Sequence, residues 1–183
     1  MSLEGVDVSG ANGSNINWHT VHGSGRHFAV CKVNEGDLIE KTTSKARVDA
    51  IRKTGMVPGG YDYVHPKPGR TGAQEFHIHW NAARHVGLYA KGDMRPVIDF
   101  EASGYGSDNA GVAHTLAYVR SWIDECFNVT GKHPILYTGF YWRDHCHDPN
   151  DTMHCQLWYP SYPTLTAVPR AWGKDRVAIH QYS

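Results

Sequence analysis

The sequence predicts an α/β fold, a (β/α) barrel that becomes irregular toward its C-terminal end. Three observations predict it. Short apolar runs alternate with longer segments of helical periodicity, the pattern of parallel strands joined by crossover helices. Acids and aromatics fall at the C-terminal ends of those runs, where parallel barrels keep their working residues. The last two runs, Gln156–Tyr159 and Val177–Tyr182, have no helical segment between them. At 183 residues, with no repeat, linker or low-complexity tract, the chain reads as one domain over residues 1–183.

Taken in order, Leu3 to Val8 is a first strand, and Met1-Ser2-Leu3 can be partly an added leader. A polar stretch with Asn15, Ile16 and Trp18 predicts a loop and a short helix. Phe28 to Val33 is the second strand, closed by Asn34-Glu35-Gly36. Ser44 to Thr54 predicts a helix with Ala46, Val48, Ala50 and Ile51 inward and Gly55 as its stop. Met56 to Val64 is the third strand, ended by Pro66 and Pro68. Thr71 to Tyr89 reads as a helix whose stripe of Ala73, Phe76, Trp80, Ala83 and Gly87 is core packing.

The fourth strand is Arg95-Pro96-Val97-Ile98-Asp99-Phe100-Glu101. A helix follows from about Asn109 to Val129, with Val112, Leu116, Val119, Ile123 and Cys126 inward and Gly131 after it. Pro134 to Thr138 is the fifth strand. Asp7, Glu35, Asp62, Asp99, Glu101, Tyr137, Trp158 and Gln181 all stand near a predicted strand end.

Asp99 and Glu101 carry the most chemical information. Side chains alternate along a strand, so both acids point to one face and Phe100 to the other. Their β-carbons would stand ~6–7 Å apart, and paired glycosidase carboxyls work at ~5–9.5 Å. A D-x-E alone also suits a solvated strand end. The apolar run before it favours a strand buried on both faces, where two acids together point to use rather than accident.

Composition excludes several classes. Hydrophobic residues make up 40% and charged residues 20%, which is globular. Formal net charge is zero, so neither a nucleic-acid nor an anionic-membrane partner is expected. No apolar run approaches a membrane span, and no signal peptide opens the chain. Six Trp and ten Tyr suit sugar rings, with the reservation that they also fill cores. Cys31 and Cys126 read as buried thiols. Cys146 and Cys155 flank a loop with His145, His147, Asp148 and His154; its spacing matches no standard zinc pattern, so thiols or a local disulfide are expected before a metal.

Read together, these segments resemble glycoside hydrolase family 25, the muramidases of phage endolysin and bacterial lysozyme type. The resemblance rests on Gly5-Val6-Asp7-Val8-Ser9, on Phe28 to Val33 with Glu35-Gly36, on Gly60-Tyr61, and on Pro96 to Glu101. It continues through Leu136-Tyr137-Thr138, Leu157-Trp158 with Tyr162, and His180-Gln181-Tyr182-Ser183, and so covers nearly the whole chain.

The resemblance implies an irregular TIM-like barrel that hydrolyses the β-1,4 bond between N-acetylmuramic acid and N-acetylglucosamine in peptidoglycan. It makes Glu101 the general acid, Asp99 the acid assisting the substrate acetamido group, and Asp7 a further active-site carboxylate. Tyr61, Tyr137 and Trp158 would line the groove, with Asp62, Gln181 and Glu35 as further substrate-binding candidates. An ionised Asp99 would raise the pKa of Glu101 and help keep it protonated. No cofactor or metal is implied. The partner is cell-wall peptidoglycan, met outside the cytoplasm by a holin-released or secreted monomer.

Two departures from the family pattern stand out. Asp62 occupies a position where the family usually has His; it would make the pocket more negative, or it is solvated or paired with a neighbouring base. The family also continues past Gln-Tyr-Ser with a strand bearing another Asp, whereas this sequence stops at Ser183. The alternatives are a chain cut short before its last strand and a barrel closed differently. Rival functions are a chitinase-like hydrolase, disfavoured by Val97 where that class needs Asp, and a wall-binding module without catalysis. A metal-dependent hydrolase built on the His145/Cys146/His147/His154/Cys155 loop ranks last.

Overall fold

A computed structural model describes residues 3–162 and 164–182. Met1, Ser2 and Ser183, the first two in the suggested leader and the last closing the Gln-Tyr-Ser match, lie outside the described residues. The class is α/β with mainly parallel strands, as expected. The chain forms two compact units, Met1–Asp62 with His77–Pro96, and Tyr63–Phe76 with Val97–Ser183.

The first unit is built on β1 (Glu4–Val8), β2 (Arg26–Glu35) and β4 (Val57–Tyr63), neighbours in that order, with β3 (Leu38–Ile39) paired to β2. β1 and β2 are parallel, in a register that sets Asp7 beside Val30. β2 runs two residues further than its apolar pattern suggests. It does so because Gly36, at φ 56°, turns the chain sharply enough for β3 to fold back with Glu35 opposite Leu38. The short helix α1 (Trp18–Gly23) starts where Asn17 caps Thr20 N–H at 3.1 Å.

Helix α2 (Lys45–Lys53) is capped by Ser44, which accepts from Arg47 N–H at 3.2 Å. Val48 and Ile51 are buried as expected, but Ala46 is exposed and Arg47 is buried in its place. Arg47 can go inside because its guanidinium reaches Thr42 Oγ1 at 3.2 Å and the Gly13 carbonyl at 2.5 Å. Val8, Trp18, Ala29, Cys31, Ile51 and Met56 form one core cluster of this unit.

The second unit carries β5 (Val97–Asp99), β6 (Ile135–Tyr137), β7 (Gln156–Pro160) and β8 (Val177–Gln181), parallel and adjacent in that order. Two helices serve it: the start of α3 (Gly72–His85) and all of α4 (Asn109–Thr130). Asp108 caps α4 through Gly111 N–H at 2.7 Å, and Gly131 ends it at φ 69°.

Both helices are rotated from the expected stripes. On α4 the buried face is Thr115, Tyr118, Val119, Trp122, Ile123 and Cys126, leaving Val112 and Leu116 half-buried. On α3 Phe76 and Ala83 are buried, but Trp80 is half-buried and Glu75 and His79 lie inside. Close helix approach is one cause of the rotation. A β-carbon on Gly72 would stand 2.0 Å from the Tyr118 carbonyl oxygen, so the glycine faces α4 and the larger side chains turn away.

Among the described residues between β7 and β8 the chain has a single 3-10 turn, Lys174–Arg176, and no α-helix, in keeping with the expected irregularity. That connection has its own ties: Trp172 Nε1 donates to the Cys155 carbonyl at 2.9 Å and Tyr159 OH to the Ala167 carbonyl at 2.7 Å. All four cysteines are buried thiols. Burial pushes Cys31, despite Arg47 and Thr43 nearby, and likewise Cys146 up to about 12.

Candidate active site

In the second unit, the backbone ladder aligns the chemistry-bearing residues. β5 ends at Asp99, whose register partner is Tyr137 on β6; Tyr137 is in turn beside Trp158 on β7. Register partners on parallel strands present side chains to the same face, so Asp99, Tyr137 and Trp158 form one row. The indole of Trp158 meets the Tyr137 ring edge-on, centroids 5.5 Å apart. Asp99 and Trp158 are buried, and Tyr137 between them is half-buried.

Glu101 lies two residues past the end of β5 and is exposed. The ladder continues one step beyond the strand: Phe100 N–H donates to the Tyr137 carbonyl at 2.9 Å, and Thr138 Oγ1 donates to the Phe100 carbonyl at 2.8 Å. Phe100 is fully buried, meeting Tyr141 and Trp142 edge-on. The segment bearing Glu101 is thereby tied down at the residue before the acid, although the acid itself is not on a strand. Gln181, half-buried at the end of β8, accepts at its carbonyl from Ser161 N–H at 3.0 Å.

The first unit holds the other candidates. Asp7 on β1 is reached by solvent, yet the protein around it desolvates its carboxyl and raises its pKa, its own backbone N–H acting in the opposite sense. Glu35, at the end of β2, is ion-paired with Lys32. Tyr61 is half-buried on β4.

Asp62 is fully buried, so the solvated alternative does not hold. Its Oδ1 accepts from Asn34 Nδ2 at 2.7 Å, and the same amide nitrogen also donates to the Gly36 carbonyl at 3.1 Å. Asn34 Oδ1 faces His79 Nδ1 at 2.8 Å, and His79 Nε2 faces the Tyr89 hydroxyl. With both amide hydrogens used, Asn34 Oδ1 must accept, which puts the histidine proton on Nδ1. Complete burial lowers the His79 pKa to about 3, so the ring is neutral. The result is a closed polar chain running from β4 through β2 to α3.

Sequence reasoning missed Asn34 and His79. His79 lies three residues after Phe76 and four before Ala83, on their buried face, and that spacing was the available signal. Asn34 had no comparable signal. Among the described residues no group of His, Cys, Asp and Glu is arranged to hold a metal ion. No helix among them is long and apolar enough to cross a membrane.

Comparison with known proteins adds a family. Residues 6–183 match the family described as Glycosyl hydrolases family 25. An N,O-diacetylmuramidase of Arthroderma benhamiae is 24% identical over 148 residues, which are 79% of this chain and 61% of that protein. The chain thus spans less than two thirds of the length of that relative. An N,O-diacetylmuramidase of Chalaropsis sp is 26% identical over 152 residues, 79% of this chain and 70% of the relative. Among solved structures, a family GH25 lysozyme from Aspergillus fumigatus superposes with a TM-score of 0.83 at 20% identity, covering 99% of this chain and 87% of that one. At that identity the likeness speaks for the fold, which is of the TIM-like (β/α) type.

Proposed function

The chain belongs to glycosyl hydrolases family 25, and on that footing we propose that it is a peptidoglycan muramidase acting as a single catalytic domain. It hydrolyses the β-1,4 bond between N-acetylmuramic acid and N-acetylglucosamine. The observation that carries the reading is the row Asp99–Tyr137–Trp158, which sets a carboxylate and two aromatic residues in one register, two residues before Glu101 in the chain. The two N,O-diacetylmuramidase relatives support the same substrate.

In this reading Glu101, exposed and just past the strand, gives its proton to the leaving glycosidic oxygen. Asp99 orients the substrate acetamido group as that group attacks the anomeric carbon, so no protein carboxylate need be the nucleophile. Asp7 is a further active-site carboxylate. Tyr61, Tyr137 and Trp158 hold sugar rings, and Glu35 and Gln181 accept or donate at their edges. Asp62, buried, serves by fixing Asn34 rather than by touching sugar. The enzyme meets its substrate at the cell wall, outside the cytoplasm.

The test is digestion of purified cell walls followed by mass analysis of the fragments. New muramic acid reducing ends are expected, and Glu101→Gln should slow their release by ~10²–10⁴-fold. Glucosamine reducing ends, or an unchanged rate in the Glu101→Gln variant, would overturn the reading.

A further inference from the structure

Beyond the row that holds Asp99, three exposed aromatic side chains follow the C-terminal ends of three consecutive parallel strands. Phe140 comes after β6, Tyr162 after β7 and Tyr182 after β8, and they are 63%, 57% and 45% exposed. Single exposed aromatics are ordinary; three in succession along one rim form a patch.

The backbone joins them. A β-carbon on Gly139, next to Phe140, would touch the Pro160 ring at 3.0 Å, so the segment after β6 lies directly on the end of β7. Ser161 N–H bonds the Gln181 carbonyl at 3.0 Å, and the Ser161 carbonyl meets His180 Nε2 at 2.6 Å. Those bonds hold the residues preceding Tyr162 and Tyr182 together, and the Tyr182 ring packs 6.2 Å from that of His180. At the other end Phe140 is followed by Tyr141, whose ring packs on Phe100, the residue between the two acids. Strands lie ~4.8 Å apart, so a rim crossing from β6 to β8 extends on the order of 10 Å, enough for more than one pyranose.

From this we propose that Phe140, Tyr162 and Tyr182 form a stacking rim for the glycan strand outside the cleavage point, a site that rests on the muramidase reading above. The chemistry favours sugar over the stem peptide. Two of the rings carry a hydroxyl at the edge of a flat apolar face, which matches a pyranose with apolar faces and a hydroxylated perimeter. Arg143, the cation over the Phe140 ring at 5.9 Å, is already ion-paired with Asp144 at 2.6 Å. Its charge is met locally, so the rim is suited to the apolar faces of pyranose rings rather than to the carboxylates borne by the stem peptide or by the lactyl groups of a stripped strand.

The experiment compares the full chain with the Phe140→Ala/Tyr162→Ala/Tyr182→Ala variant and with Tyr162→Phe/Tyr182→Phe. Substrates are long glycan strands stripped of stem peptides and intact walls, and binding of an N-acetylglucosamine hexamer is followed separately by calorimetry. The triple variant is expected to raise KM on peptide-free strands ~10-fold or more, the worth of aromatic contacts of this kind. Its kcat and melting temperature should be unchanged. The phenylalanine pair should recover most of the affinity, since the rings remain.

An unchanged KM on peptide-free strands together with a raised KM on intact walls would assign the rim to the stem peptide and overturn the proposal. A loss of kcat with unchanged KM would overturn it too. If the parent chain cleaves neither substrate, the muramidase reading fails. The hexamer still decides the rim in that case: a ~10-fold weaker affinity in the triple variant supports it, and equal affinity refutes it.

Discussion

Asn34 Nδ2 donates to Asp62 Oδ1 at 2.7 Å, and both residues are fully buried. An asparagine on one strand end thus satisfies an acid on the other, while its oxygen serves His79. Replacing it by Leu would leave Asp62, the Gly36 carbonyl and His79 each without that partner. A loss of about 1–3 kcal/mol for each group orphaned is expected. Urea unfolding should show the midpoint lowered with the slope unchanged.

His79 makes stability depend on pH. Its folded pKa of about 3 lies below the ordinary 6.5, so between those values the unfolded chain binds a proton that the folded chain refuses. The contribution is intact above pH 6.5 and erodes as pH falls toward 3. The slope is roughly 1 kcal/mol per pH unit at full effect. Thermal melts of wild type and His79→Gln between pH 4 and pH 7 should diverge in slope; parallel curves would refute the buried neutral ring.

Asp7 works in the opposite sense. Desolvation raises its folded pKa above 3.8, so nothing is lost while it is protonated and a penalty appears as pH rises through the folded value. Asp7→Asn should melt higher than wild type at pH 7, with the gain vanishing below pH 3.8. If Asp7 belongs to the active site, the same variant should lose wall-degrading activity, the usual trade between stability and function. Paired melts and turbidity assays would read both.

Gly72→Ala tests the contact of α3 with α4. The added carbon would sit 2.0 Å from the Tyr118 carbonyl and 2.6 Å from Trp122 N, both backbone atoms that cannot swing aside. Forced helix separation should cost at least about 1–3 kcal/mol. A melting temperature within a degree of wild type would contradict this packing.

The thiols should be inert in the folded protein. With all four buried, and Cys31 and Cys146 held near 12, native protein treated with iodoacetamide at pH 8 should take up no label in minutes. Urea-unfolded protein should take up four equivalents, counted by mass.

The legible part of the sequence was whatever repeats along one element. Apolar runs marked the strands of both units, and Ser44, Gly55 and Gly131 marked helix ends through local capping chemistry. Alternation singled out Asp99 and Glu101 as a pair on one strand, but β5 ends at Asp99, which is buried, and Glu101 lies exposed beyond it. The rotated faces of α3 and α4 were not legible, since Gly72 packs against a backbone more than 40 residues away and no local pattern encodes that. Glu75 inside a helix stripe was equally hidden: its burial depends on Arg70, 3.1 Å away, and on the hydroxyl of Tyr118. Strand β3 was missed because two residues are too few to show a period.

No hairpin turn ties β5 to β6 or β6 to β7, so it is the burial of side chains such as Phe100 that decides which residue of one strand faces which of the next. Slipping β5 by a single position would bring Phe100 outward and swing Asp99 in among the aromatic rings behind it. Such a molecule would forfeit its core along with its chemistry. Misassembled copies should therefore be cleared by proteases as unfolded chains, and a population of folded but slipped molecules should not accumulate.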